Sequence, residues 1–230
     1  MTTLVVDMHS HILPAIDDGA DSLVISLAMI ATCQQLGYRK LIMTPHIMGD
    51  FYRNTPALIR EKLTLVQAAV KEKEWEIELD CAAEYYLDEW FIDKLKGEEP
   101  LLSFGDKYVL VETSYINEAL NFKEVIFALQ AAGYNPVLAH PERYTYLYDR
   151  FDELVKIAEL GVLFQININS LTGYYSDMAR KVAEKLIDLK LVHMLGSDAH
   201  HNRHLQTLSK AAATPYFKKA LALPLYNSQL

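Results

Sequence analysis

Short apolar runs alternate along the chain with longer stretches of helical periodicity. Leu4 to Met8, Leu41 to Thr44, Ile77 to Ala83, Tyr108 to Val111, Pro136 to Ala139, Val162 to Ile166 and Val192 to Leu195 read as buried strands. Helical spacing predicts helices near Ser22 to Leu36, Pro56 to Lys73, Phe122 to Ala132, Phe151 to Leu160 and Ser176 to Leu189. Asp21-Ser22 offers a start for the first, and Gly37, Gly133 and Gly161 each follow a helical run, where a left-handed residue ends a helix most easily. Strands separated by crossover helices pair in parallel, and this number of them favours a barrel or a distorted relative of one. No internal repeat or low-complexity linker interrupts the pattern, so a single domain over residues 1–230 is expected.

The polar residues that break the apolar runs carry the chemistry. Asp7-Met8-His9-Ser10-His11 closes the first run, and in an extended strand residues i and i+2 point to the same side, so His9 and His11 project together. Taken alone, such a pair is either a metal site or two hydrogen-bonded polar residues. Its partners decide. Thr44-Pro45-His46 follows the second strand, Ala83-Glu84 the third, Val111-Glu112 the fourth, Ala139-His140 the fifth, and Ser197-Asp198-Ala199-His200 the last. In parallel α/β architectures the carboxyl ends of the strands converge on one face. Gathering so many buried carboxylates and imidazoles without a cation would be costly, which points to a multinuclear metal site. Mixed nitrogen and oxygen donors without thiolate suit zinc, manganese or iron rather than calcium or magnesium.

Composition narrows the setting. A 51% hydrophobic content in 230 residues is ample for a buried core. No basic segment followed by a long apolar run opens the chain, so no signal peptide or membrane span is expected and the cytoplasm is the expected compartment. Cys33 and Cys81 sit among apolar residues, as small hydrophobes would, and fit a reducing compartment. A net charge of −8 argues against a nucleic-acid surface, and any anionic substrate must be attracted locally. The absence of coiled-coil heptads leaves the oligomeric state open.

Asp7-Met8-His9-Ser10-His11, Asp17-Asp18-Gly19, Thr44-Pro45-His46, Ala83-Glu84, Val111-Glu112, His140-Pro141-Glu142-Arg143-Tyr144 and Ser197-Asp198-Ala199-His200 together resemble the PHP (polymerase and histidinol phosphatase) superfamily. More narrowly, His9-Ser10-His11-Ile12 with Asp17-Asp18-Gly19, and the His140 to Tyr144 segment, resemble the PHP-type protein-tyrosine phosphatases encoded with bacterial capsule and exopolysaccharide export systems. The resemblance runs from Asp7 to about His204. It implies a distorted (β/α)7 TIM-like barrel with three divalent metal ions, manganese foremost and iron or zinc as alternatives. His9, His11, Glu84 and Asp198 would hold the first; Glu84 as a bridge, Glu112 and His140 the second; Asp18, His46 and His200 the third. Three divalent cations outweigh four ligand carboxylates by about two positive charges, which would draw an anion into an acidic protein.

The implied activity is hydrolysis of phosphotyrosine by in-line attack of metal-activated hydroxide, with a membrane-associated bacterial tyrosine autokinase as the protein substrate. Arginine would complete a clamp on the phosphoryl oxygens, and Arg143 and Arg203, each three residues beyond a ligand histidine, are the candidates. Hydrolysis of a small phosphomonoester such as histidinol phosphate is the alternative, and a non-catalytic scaffold module is the third reading. His193 is expected to be a core or supporting histidine, and His201 and His204 loop residues, either of which could contact substrate. Phe51-Tyr52-Arg53 would line the cleft or its rim, and Tyr144 to Tyr148 and Tyr174-Tyr175 would be rim or packing surface. Cys33 is not expected to act as a phosphatase nucleophile.

Overall fold

Apolar runs flanked by Pro, Gly and charged residues fold, among the described residues, into nine short strands: β1 (Val6–Asp7), β2 (Lys40–Met43), β3 (His46–Ile47), β4 (Glu78–Cys81), β5 (Glu84–Tyr86), β6 (Tyr108–Glu112), β7 (Asn135–Ala139), β8 (Leu163–Asn167) and β9 (Met194–Gly196). The computed structural model describes residues 4–97 and 99–230. One parallel sheet has the order β1-β2-β4, and a second has the order β3-β5-β6-β7-β8-β9.

The two sheets arise because two of the expected strands are interrupted. The run through Thr44 resumes past Pro45, which has no N–H for a ladder, as β3; the run through Ala83 resumes as β5. The breaks are in step, since Ala82 N–H donates to Met43 C=O and Glu84 N–H donates to Pro45 C=O. With β2–β3 and β4–β5 each counted as one broken strand, the barrel has the seven strands that the sequence predicts. A parallel bridge between Ser10 and Ala199 closes the ring, with His11 N–H donating to Ala199 C=O at 3.0 Å and Asp198 N–H to His9 C=O at 2.8 Å. The fold is a distorted (β/α)7 barrel.

The helices are α1 (Leu23–Leu36), α2 (Pro56–Glu72), α3 (Glu89–Leu95), α4 (Phe122–Ala131), α5 (Phe151–Glu159), α6 (Asp177–Asp188), α7 (Asn202–Ala212) and α8 (Pro215–Leu221). Ser22 caps α1 by accepting from Ile25 N–H, and Gly37 ends it at φ 99°, as expected from the sequence. Sequence reading missed α3, α7 and α8. In α7 the signal was there, because Leu205, Leu208 and Ala211 fall at helical spacing and are buried. No described helix is long and apolar enough to cross a membrane.

Alternation along the strands sorts the core into two layers. A larger cluster fills the space between strands and helices, with Phe164 and Ile166 of β8, Ile30 and Cys33 of α1, and Leu186 of α6. A smaller one fills the barrel itself, with Val6, Met8, Ile42, Ala82, Leu110, Val137, Ala139 and Met194. The inward ladder then turns polar toward the carboxyl ends: Leu110 is followed by Glu112, Ala82 by Glu84, and Leu163 by Gln165 and Asn167. The first strand departs from the expected alternation. Met8 and His9 both face the barrel interior, because regular pairing ends at Asp7, one residue before the pattern changes.

Tyr144 ties the ends of two strands together under the polar layer. It is fully buried; its hydroxyl donates to Ala139 C=O at 3.0 Å and accepts from Thr113 N–H at 3.2 Å. Tyr144→Phe strands one donor and one acceptor in the interior and is expected to lower unfolding free energy by about 1–3 kcal/mol in urea titration; an unchanged midpoint contradicts this role.

Candidate metal centre

The nine residues singled out as donors meet in one continuous cluster at the carboxyl ends of the strands. His9 Nε2 and His11 Nε2 lie 3.2 Å apart. Glu84 Oε2 is 3.2 Å from the first and 3.3 Å from the second, and Asp198 Oδ1 is 3.5 Å from both. A tetrahedron centred about 2.0–2.1 Å from each nitrogen or oxygen, the bonding distance of a divalent transition metal, has edges of about 3.3–3.4 Å. The His9, His11 and Glu84 atoms have the spacing of such a shell, and Asp198 Oδ1 adjoins them, 3.5 Å from both nitrogens.

Two further groups adjoin it. Glu84 Oε1 lies 3.1 Å from His140 Nε2, and Glu112 Oε2 is 3.8 Å from the same nitrogen. On the other side, Asp18 Oδ1 is 3.5 Å from both His46 Nε2 and His200 Nε2. Glu84 thus touches two groups, one oxygen in each. His46 also spans two, because its Nδ1 is 3.2 Å from Glu84 Oε2 and 3.1 Å from Glu112 Oε1, yet makes no hydrogen bond of acceptable geometry. Ring nitrogens that approach carboxylates without bonding to them, as His46 Nδ1 does, suit a shared cation better than a hydrogen-bonded polar core. The donor set fits metal ions.

Neighbouring groups fix how the imidazoles present themselves. His11 Nδ1 bonds Asp17 Oδ2 at 2.9 Å, His9 Nδ1 bonds Gln165 Oε1 at 2.8 Å, and His200 Nδ1 bonds Asp198 C=O at 3.1 Å, leaving each Nε2 directed into the cluster. Asp17 and Asp18, side by side in sequence, therefore play different parts: Asp17 orients His11, and Asp18 faces His46 and His200. Gly19 makes this possible, since a Cβ there would lie 2.0 Å from His11 O. His140 and Asp198 adopt the left-handed conformation, at φ 34° and 50°, a strain concentrated on two of the nine donors.

Without a cation the cluster holds itself together with protons. Burial opposes a charge on His9, but Glu84 and Asp198 outweigh it and raise its pKa to about 9. Burial and nearby His46 oppose a charge on His11, which Asp17 and Glu84 nevertheless raise to about 9. His46, also opposed by burial, is raised to about 10 by Glu84 and Glu112. Burial would lift Glu84 and Asp198, yet the surrounding histidines, with Arg143 beside Asp198, hold both below the usual carboxylate range. Asp18 is lowered too: partial burial is overcome by His200 and His46.

A cavity of about 700 Å³ opens onto the cluster. Tyr52, Tyr86, Tyr115, Tyr174 and Tyr175 line it, with Arg143. The Arg143 guanidinium is sandwiched between the rings of Tyr115 and Tyr175, at 4.5 and 4.1 Å, and one of its N–H groups donates to Asp198 Oδ2 at 2.7 Å. Arg203 is elsewhere: it is exposed on the first turn of α7 and does not line the cavity. The same turn instead brings His201 and His204 to the cavity wall, and burial together with His201 and His200 depresses His204 to about 4. Of the Phe51-Tyr52-Arg53 segment, Tyr52 lines the cavity, stacked on His46 at 5.7 Å, while Phe51 is exposed. His193 is remote, accepting on Nδ1 from Phe164 N–H at 3.0 Å as a supporting core residue. Both cysteines are buried, and burial raises the Cys33 thiol well above its ordinary value.

Comparison with known proteins places this geometry. The chain is 30% identical over 197 residues to the tyrosine-protein phosphatase YwqE of Bacillus subtilis, covering 85% of this chain and 77% of the relative. It is 29% identical to a putative tyrosine-protein phosphatase CapC of Staphylococcus aureus, over 85% and 76% of the two chains. Among solved structures it matches the pair described as unique metal-dependent tyrosine phosphatases, YwqE from Bacillus subtilis and CpsB from Streptococcus pneumoniae, with TM-score 0.82, 28% identity and coverage of 95% and 94%. A histidinol phosphate phosphatase from Lactococcus lactis, at TM-score 0.55, 15% identity and 94% coverage of both chains, shares the fold alone. The family profile for capsular polysaccharide synthesis, CpsB/CapC, matches residues 5–221. The chain therefore belongs to the CpsB/CapC family of capsular polysaccharide synthesis proteins.

Proposed function

We propose that the chain is, as a single domain, a metal-dependent protein-tyrosine phosphatase that acts in the cytoplasm. Its substrate would be a phosphotyrosine protein, with a membrane-associated tyrosine autokinase of polysaccharide export as the natural candidate. The observation that carries this reading is the junction of a cluster of nine histidines and carboxylates with an open, tyrosine-lined cavity into which Arg143 is fixed. Three divalent ions, manganese foremost, would be held by His9, His11, Glu84 and Asp198; by Glu84, Glu112 and His140; and by Asp18, His46 and His200. Bound there, they supply positive charge for the phosphoryl oxygens and a water acidic enough to act as nucleophile.

The protein's own groups do the rest. Arg143 uses one N–H on Asp198, which leaves others of its planar fork free for phosphoryl oxygens. Stacking between Tyr115 and Tyr175 holds that fork in place, and burial raises both phenols well above their ordinary pKa, so they remain neutral. The aromatic wall accepts a phenyl ring edge-on or face-on and excludes water around the ester. Phenolate, with a parent pKa of about 10, leaves with less proton assistance than an alkoxide. A small phosphomonoester such as histidinol phosphate would fit the same cations but makes little use of this wall. The nine side chains lie together in one cluster, which a degenerate scaffold module would not require.

Two measurements test the reading. After manganese loading, a phosphotyrosine peptide should be hydrolysed with kcat/KM at least tenfold above that for histidinol phosphate; the reverse preference contradicts it. The second concerns protons. His9, His11 and His46 are raised from 6.5 to about 9, 9 and 10, so the metal-free folded chain holds protons that the unfolded chain has released. That stabilisation is complete below about pH 6.5 and is lost as pH rises through 9 to 10. The Tm of metal-free protein should therefore fall across this interval, and manganese, which displaces the protons, should raise Tm more at pH 9 than at pH 6.5. A metal-free Tm that is flat across it contradicts the proton-held cluster.

A further inference from the structure

β8 is the strand of the barrel whose carboxyl end offers neither imidazole nor carboxylate. It ends in Gln165 and Asn167, two neutral amides that alternation places on the inner face, both fully buried. They form a chain of hydrogen bonds between two members of the first donor group: His9 Nδ1 to Gln165 Oε1 at 2.8 Å, Gln165 Nε2 to Asn167 Oδ1 at 2.9 Å, and Asn167 Nδ2 to Asp198 Oδ2 at 2.6 Å.

The direction of every bond follows from one end. Asp198 Oδ2 already accepts from an Arg143 N–H at 2.7 Å, so Asn167 must turn its NH2 toward it. The Asn167 carbonyl then faces Gln165, which must present its own NH2, and the Gln165 carbonyl is left facing His9. Two further contacts agree with this sense. His140 N–H also donates to Gln165 Oε1, at 3.4 Å, and the second N–H of Asn167 reaches Tyr175 Oη at 3.3 Å. His9 has one remaining choice: Nδ1 carries a proton, and in the neutral ring Nε2 carries the lone pair. Nε2 is the atom 3.5 Å from Asp198 Oδ1 in the first donor group.

We propose that Gln165 and Asn167 are positioning residues that couple His9 to Asp198, fixing the tautomer of one and the orientation of the other so that both address the same cation. The proposal rests on the metal reading above. Their neutrality matters, since a third carboxylate here would compete for the protons and cations that the cluster shares, whereas an amide passes on orientation without charge. Backbone placement supports the pair: Asn167 N–H donates to the buried Glu142 Oε1 at 2.9 Å, which pins the end of β8.

The test uses the full chain, manganese for affinity and zinc as a diamagnetic probe. In zinc-loaded wild-type protein with 15N-labelled histidine, His9 is expected to carry its proton on Nδ1, protected from exchange. Asn167→Leu, which removes a group that does not touch His9, is expected to weaken manganese binding 10- to 100-fold and to deprotect that proton; Gln165→Met is expected to do the same. The double variant should lose no more than the worse single one, because the chain is already broken once. Metal-free Tm reports whether each variant folds, and if Asn167→Leu does not, Gln165→Met and the wild-type spectrum still decide. Unchanged manganese affinity in a folded variant, single losses that multiply in the double variant, or a His9 proton on Nε2 would each overturn the proposal. A wild-type chain that takes up no manganese overturns the metal reading and the proposal with it.

Discussion

Glu84, Glu112 and Asp198 are buried side by side among five histidines, and that crowding is the constraint on which the rest of the structure depends. Carboxylates removed from water need positive charge within a few ångströms, and in the metal-free chain His9, His11 and His46 provide it by holding protons well above their ordinary pKa. Such an arrangement is poised to exchange protons for metal ions. The barrel serves it by bringing seven strand ends to one face. The interruptions at Pro45 and at Ala82-Ala83 let His46 and Glu84 move into the six-stranded sheet, beside Glu112 and His140.

The same constraint explains where rigidity is concentrated. Regular strand pairing stops at Asp7, and the next residues are fixed instead by contacts to the far end of the chain: Ser197 Oγ donates to Asp7 Oδ2 at 2.5 Å and Ser197 N–H donates to Asp7 Oδ1 at 2.9 Å. Burial raises Asp7 to about 6 in spite of these bonds. The ring closure thus runs through a polar joint directly beneath His9 and Asp198. Arg143 couples this joint to the cavity, binding Asp198 on one side and lying between two tyrosine rings on the other. A substrate phosphate that engages Arg143 would be felt at the donor group without any intervening loop.

The strand-helix alternation was legible in the sequence, and so were the nine side chains that cluster at the strand ends, because histidines and carboxylates at the ends of apolar runs are conspicuous. What it concealed was of three kinds. Gln165 and Asn167 were invisible because a neutral amide inside an apolar strand carries no signal of chemistry until its partners are known. Helix α7 was not read from the sequence, and with Asn202 to Ala212 helical Arg203 is exposed while His201 and His204 line the cavity. The alternation argument for His9 and His11 reached the right side of the barrel on an assumption of regular strand that ends at Asp7. The tyrosines that stack on Arg143 are far apart in sequence, and only the barrel brings them together.

The central claim is that the strand-end donors form a shell for metal ions. Anomalous diffraction at the manganese absorption edge, from crystals of manganese-loaded protein, tests it most directly. The account predicts three peaks: one amid His9, His11, Glu84 and Asp198, one between Glu84, Glu112 and His140, and one between Asp18, His46 and His200. A map with no peak in this cluster, or with manganese bound only elsewhere on the protein, would contradict it.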